Sequence, residues 1–161
     1  DIELEPGSVN KYVNNVGIFR GGNIGPISDT FIPVMPVDFN NTDDSRSHPI
    51  LGGDGKMMVP VNDRATYYCQ KIIPKGYTAT AAVIKGLDTG GAGAIIAYVT
   101  DLDGTTPSAV SASVTFSSGA WTIPFGVASI VGDGEKICTL SFDPGSTSNR
   151  IYGGKITIAK T

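Results

Sequence analysis

From Ala65 onward, apolar and polar residues alternate in several runs, and a period of two marks a strand with one face buried. Val110, Ala112, Val114 and Phe116 fall on one side of such a run, with Ser111, Ser113 and Thr115 on the other. The pattern returns near the end, where Cys138, Leu140 and Phe142 oppose Ile137, Thr139 and Ser141, and Ile156 and Ile158 oppose Lys155 and Thr157. Two apolar runs, Tyr67 to Ile73 and Tyr77 to Gly86, are separated by Pro74-Lys75-Gly76. Proline fixes its φ and glycine tolerates a positive one, so this break ends one strand and begins another. The predicted strands are 65–73, 77–87, 93–101, 108–116, 119–125, 127–131, 136–143 and 150–159. Short strands divided by Gly, Asp, Pro and Ser turns predict an all-β fold, an antiparallel β-sandwich that is jelly-roll-like rather than immunoglobulin-like.

Residues 1–64 differ. They hold six of the ten prolines, at 6, 26, 33, 36, 49 and 60, among scattered glycines, a spacing that argues against regular central strands. They are also the acidic part, with five Lys or Arg against nine Asp or Glu, while 65–161 has seven against six. The expected organisation is an extended Pro/Gly-rich N-terminal arm, 1–64, and a β-sandwich domain, 65–161. The arm carries too much apolar surface to remain in water: Val16-Gly17-Ile18-Phe19 and the run Phe31 to Phe39 must pack on something. The surface that receives them is either the chain's own sandwich or a neighbouring subunit, and Phe19, Phe31, Ile32, Val34, Met35 and Phe39 are the interface candidates.

Composition narrows the function classes. With 161 residues the chain can bury one real core, and 21 Gly, 10 Pro and only 17% charged residues suit short strands joined by tight turns. A net charge of −3 offers no basic field, so no nucleic-acid partner is expected. No stretch approaches the roughly 18 to 20 apolar residues of a membrane span, and no charged-then-apolar leader opens the sequence, so no membrane partner is expected either. Cys69 and Cys138 lie inside apolar strand runs, which favours buried free thiols over a disulfide between them. No Cys-x-x-Cys is present and His48 is the single histidine, so neither a metal nor another cofactor is expected.

Each tempting site reads better as structure. Asp101-Leu102-Asp103-Gly104 opens like a calcium loop, but Thr105 stands at position 5 and Ala112 at position 12, where a bidentate Glu is required, so an ordinary turn is favoured. Gly53-Asp54-Gly55 and Gly132-Asp133-Gly134-Glu135 read as hairpin turns. His48 precedes a proline in a polar loop without a nucleophile motif, so a solvated or capping role is favoured over general base. Trp121 is either a sugar-stacking platform or a core anchor, and its apolar run favours the core. Asn40-Asn41-Thr42 matches a glycosylation sequon, a pattern short enough to arise by chance. Catalytic residues are therefore expected to be none.

One resemblance goes further. A tyrosine-rich strand, then Ile-Pro-Lys-Gly-Tyr-Thr-Ala-Thr at Ile73 to Thr80, then Gly/Ser/Thr-rich strands and a closing Ile-Tyr-Gly-Gly-Lys-Ile-Thr-Ile-Ala at Ile151 to Ala159, resembles small β-sandwich virion structural proteins of marine and cyanobacterial tailed phages. The resemblance covers about residues 65–161 and implies a structural role in the virion. A sandwich with a proline-stiffened apolar arm suits a capsid cement or decoration protein, because a stiffened arm loses less entropy on docking. The partners then expected are the major capsid protein and further copies of the chain, a homotrimer. The alternatives are a tail-fibre or spike module that recognises a host glycan, and a small glycan-cleaving enzyme with two close carboxylates.

Overall fold

The computed structural model describes residues 30–41, 49–52, 57–61, 65–91, 93–104, 107–115, 118–124 and 129–161. Thirteen strands and one 3-10 turn are present among them. The first part of the chain supplies β1 (Phe31–Val34), the 3-10 turn (Pro36–Asp38), β2 (Phe39–Asn41), β3 (Ile50–Gly52) and β4 (Met57–Val59). β5 (Tyr67–Ile72), β6 (Tyr77–Leu87), β7 (Ala94–Asp101), β8 (Ser108–Ala109), β9 (Val114–Thr115) and β10 (Gly119–Pro124) follow. β11 (Ile130–Val131), β12 (Lys136–Asp143) and β13 (Arg150–Lys160) close the chain.

Two antiparallel sheets pack as a sandwich. The first runs β10-β6-β13-β4-β3, with β1 also against β13 and β11 against β6; the second runs β2-β5-β12-β7-β8, with β9 also against β7. The chain crosses repeatedly from one sheet to the other, β5 to β6 to β7 and later β10, β12 and β13, which is the jelly-roll-like connectivity. The turn after β5 forms where the sequence places it: Tyr77 N–H donates to the Pro74 carbonyl, and Gly76 takes a φ of 82°.

The alternating residues set the core. Leu140 and Phe142 of β12 face Cys69 and Tyr67 of β5 across the ladder, Cys138 stands opposite Lys71, and all but Lys71 are fully buried. Phe142 meets the rings of Phe39 at 6.4 Å and Tyr67 at 6.5 Å between centroids. Ile84, Ile123, Ile151 and Ile156 supply the facing layer from the other sheet. Gly86 has no Cβ because none fits: it would lie 2.2 Å from the Arg150 carbonyl oxygen and 2.4 Å from the Trp121 ring. Gly86→Ala is expected to lower stability by about 1–3 kcal/mol in a urea titration. Adding Trp121→Phe should not restore it, because the Arg150 carbonyl remains in the way.

The structure corrects the expected arm. Within 1–64, β1, β3 and β4 belong to the first sheet and β2 to the second, so the described part of this region is integral to the sandwich. The prolines fit because they sit at margins. Pro33 lies on β1, which among the described residues pairs only with β13; Pro36 starts the 3-10 turn; Pro60 follows β4. The expected strand 108–116 is also divided into β8 and β9. Ser111 interrupts it, its hydroxyl accepting the Ala97 N–H in place of a backbone carbonyl. Of its apolar series, Val110 is buried, Val114 half-buried and Ala112 exposed, while Phe116 lies outside the described residues.

Both cysteines are buried and free. Burial pushes the Cys69 thiol from an ordinary 9.0 up to about 12, with smaller opposing influences from Lys71 and Asp38, and burial raises Cys138 as well. A thiol whose folded pKa exceeds its unfolded one contributes stability that is complete below pH 9 and is lost as pH rises toward 12. The expected result is a fall in unfolding free energy across that window, shallower in a Cys69→Ala/Cys138→Ala chain. Native protein at pH 8 should leave both thiols unmodified by a thiol reagent until denaturant is added.

Candidate binding site

The interface candidates separate once they are placed. Ile32, Val34 and Phe39 are core residues of the chain's own sandwich, at most 1% exposed, and so are not free for burial between chains. Phe31 is half-buried on the outer face of β1 and Met35, before the 3-10 turn, is 52% exposed. Phe19 lies outside the described residues, as does His48. Trp121, considered for sugar stacking, is 4% exposed and packs into the space over Gly86. Of the calcium-like turns, Asp101 pairs with Lys136 through a close ion pair, and Asp133 accepts the Glu135 and Lys136 N–H groups. Those N–H bonds, Glu135's first, hold the exposed Asp133 carboxyl below the usual range. Among the described residues, no group of His, Cys, Asp and Glu is placed to hold a metal ion, and no helix is long and apolar enough to cross a membrane.

What the structure brings together is a concavity of about 550 Å³ on the outer face of the first sheet. It is lined by Phe31 of β1, Val83 and Lys85 of β6, and Tyr152, Gly153, Gly154 and Lys155 of β13. A β-bulge makes it. β13 pairs Ile151 with Gly86 and then Gly153 with Lys85, so Tyr152 is the extra residue and its ring is turned outward, 45% exposed. Gly153 holds a φ of 102°, and a Cβ there would meet the Val34 carbonyl oxygen at 2.5 Å. Gly154 is closed in likewise, its absent Cβ 2.0 Å from the Val83 carbonyl. Neighbouring side chains therefore rise around a floor that has none.

The electrostatics of this hollow are one-sided. Lys155 stands across from Val83 in the ladder, and its ammonium lies 5.7 Å from the centre of the Phe31 ring. Among the described residues, neither Lys85 nor Lys155 meets a carboxylate, in contrast to Lys71 and Lys136, which do. An aromatic face, two cations and a recessed floor can seat a ring-shaped anionic ligand. Sequence reasoning treated Ile151 to Ala159 as a closing strand; its signal was the Gly153-Gly154 pair interrupting the alternation behind an aromatic residue.

A second surface lies at the β3 margin of the first sheet. Ile50 and Leu51 of the edge strand β3 are 58% and 43% exposed. Met35 and Val37 are also exposed, at the 3-10 turn, which packs against β4, β5 and β13.

No protein-family model matches the chain, and no curated protein matches it. Among solved structures, it is similar to the N-terminal CBM22-1 and GH10 modules of endo-1,4-beta-D-xylanase 10B from Clostridium thermocellum, crystallised with xylohexaose. The identity is 14% and the TM-score 0.44, over 83% of this chain and 29% of that chain. The chain thus spans under a third of the length of that structure.

Proposed function

We propose that the chain is a non-enzymatic structural protein of a tailed-phage virion, a cement or decoration subunit that binds the major capsid protein and stabilises the head lattice. The observation that carries this reading is the β3 margin, where Ile50 and Leu51 stand exposed on a strand that, among the described residues, pairs with β4 alone. Such an edge invites pairing with another chain unless it is blunted by charge or cover, and Ile50 and Leu51 carry no charge and are exposed. The sequence pattern at 73–80 and 151–159, read as that of phage virion proteins, favours the same assignment. In this reading three copies gather about a symmetry axis of the lattice, each offering this margin to the capsid protein.

The test uses heads of the encoding phage stripped of this protein. Adding the chain back is expected to raise the temperature at which the heads open, and Leu51→Lys to abolish the gain while leaving the chain's own melting unchanged. Heads that open at the same temperature with and without the saturating chain would sink the reading.

A second reading, a tail-fibre or spike module for a host glycan, draws on Tyr152, whose exposed ring stands beside the concavity.

A further inference from the structure

We infer that the bulge concavity is a saccharide site selective for acidic sugars, with carboxylate or sulfate groups seated between Lys85 and Lys155 and a sugar ring laid on Tyr152. The inference rests on the reading of this hollow as a ligand site and is independent of where on the virion the chain sits.

Three observations converge. The first is shape: the hollow of about 550 Å³ has a floor of two glycines that backbone contacts forbid from carrying side chains, so the recess is fixed by the ladder itself. The second is charge. Lys85 and Lys155 come from adjacent strands of one face, neither has a carboxylate neighbour among the described residues, and Phe31 holds the Lys155 ammonium in place. Two cations at one recess select an anion over a neutral ligand. The third is the bulge, which turns the Tyr152 ring outward beside them, where the apolar face of a sugar ring can stack and the hydroxyl can reach its polar rim.

An acidic peptide is the competing ligand, and the sheet disfavours it. An extended peptide binds a sheet by pairing with an open edge, but the floor strand β13 is already paired with β6 on one side and β1 on the other. What the hollow leaves to a ligand is side-chain chemistry, which suits a sugar. A nucleic-acid strand is disfavoured by the net charge of −3 and by the pair of lysines being too few for a phosphate track.

Calorimetry with the full chain tests this, using an oligogalacturonate, its neutral methyl ester, a sulfated galactan oligomer and an oligoglutamate. Saturable binding of the oligogalacturonate, of the sulfated oligomer or of both is expected, with the ester about tenfold weaker and affinity falling as ionic strength rises. Lys85→Ala and Lys155→Ala should each weaken binding about fourfold. Tyr152→Ala should weaken it about tenfold, with Tyr152→Phe close to wild type. All three side chains replaced are outward-facing, so unchanged melting temperatures should accompany these losses. Equal binding of the acid and its ester would overturn the acidic selectivity while keeping a sugar site. Oligoglutamate binding as tightly as the acidic sugars would overturn the saccharide class. Unchanged affinity in the lysine variants would remove the ligand from this hollow, and no binding by any of the four would remove the ligand site altogether.

Discussion

Replacing Asp38 with alanine is expected to lower the unfolding free energy by about 3–5 kcal/mol, close to the whole stability of many domains. Lys71 points inward from β5, in the same alternating series as Tyr67 and Cys69, and its ammonium lies 2.7 Å from Asp38. The two side chains are 4% and 5% exposed. The same carboxylate oxygen accepts the Met35 N–H at 2.6 Å, so Asp38 both neutralises the buried cation and closes the turn that leads from β1 to β2. Alanine would remove the carboxylate that this buried ammonium faces, and breaking a buried pair costs far more than the pair itself contributes. Asp38→Asn combined with Lys71→Met should therefore be much more stable than Asp38→Ala. Urea titrations of the two single variants and the pair check this, and additive losses would contradict it.

A chain beginning at residue 65 is expected not to fold. The first 64 residues contribute Ile32, Val34, Phe39 and Met58 to the core, each at most 1% exposed. At about 1.5–3 kcal/mol for each fully buried side chain, their loss is comparable to a typical total stability of about 5–15 kcal/mol. The deletion also removes Asp38 from beside Lys71 and strips β1 and β4 from the edge of β13 that faces away from β6. Circular dichroism and thermal melting of 65–161 should show no cooperative transition; a sharp melt with native-like β signal would show that the sandwich stands without these strands.

The long strands from β5 onward were legible because alternation is a local property: one buried face leaves its period in the sequence whatever the partner strand is. Tyr67 to Ile73, Tyr77 to Leu87 and Lys136 to Asp143 could thus be read almost residue by residue. The strands before residue 60 were not legible, because three or four residues are too few to show a period and their prolines look prohibitive until the edge positions are known. Lys71 gave no signal of its inward direction beyond its place in the series, since its partner Asp38 lies on a distant turn. The concavity was legible only as Gly153-Gly154 behind Tyr152, because a bulge depends on register with β6 and register is set by the whole sheet.

The most direct test of the proposed function is cosedimentation of the purified chain with heads of the encoding phage, for the wild type and for Ile50→Lys/Leu51→Lys. The β3 margin as the capsid-binding surface predicts saturable binding by the wild type and none by the double variant, with both chains equally folded. Wild-type protein left wholly in the supernatant, or a double variant that binds as well as wild type, would contradict it.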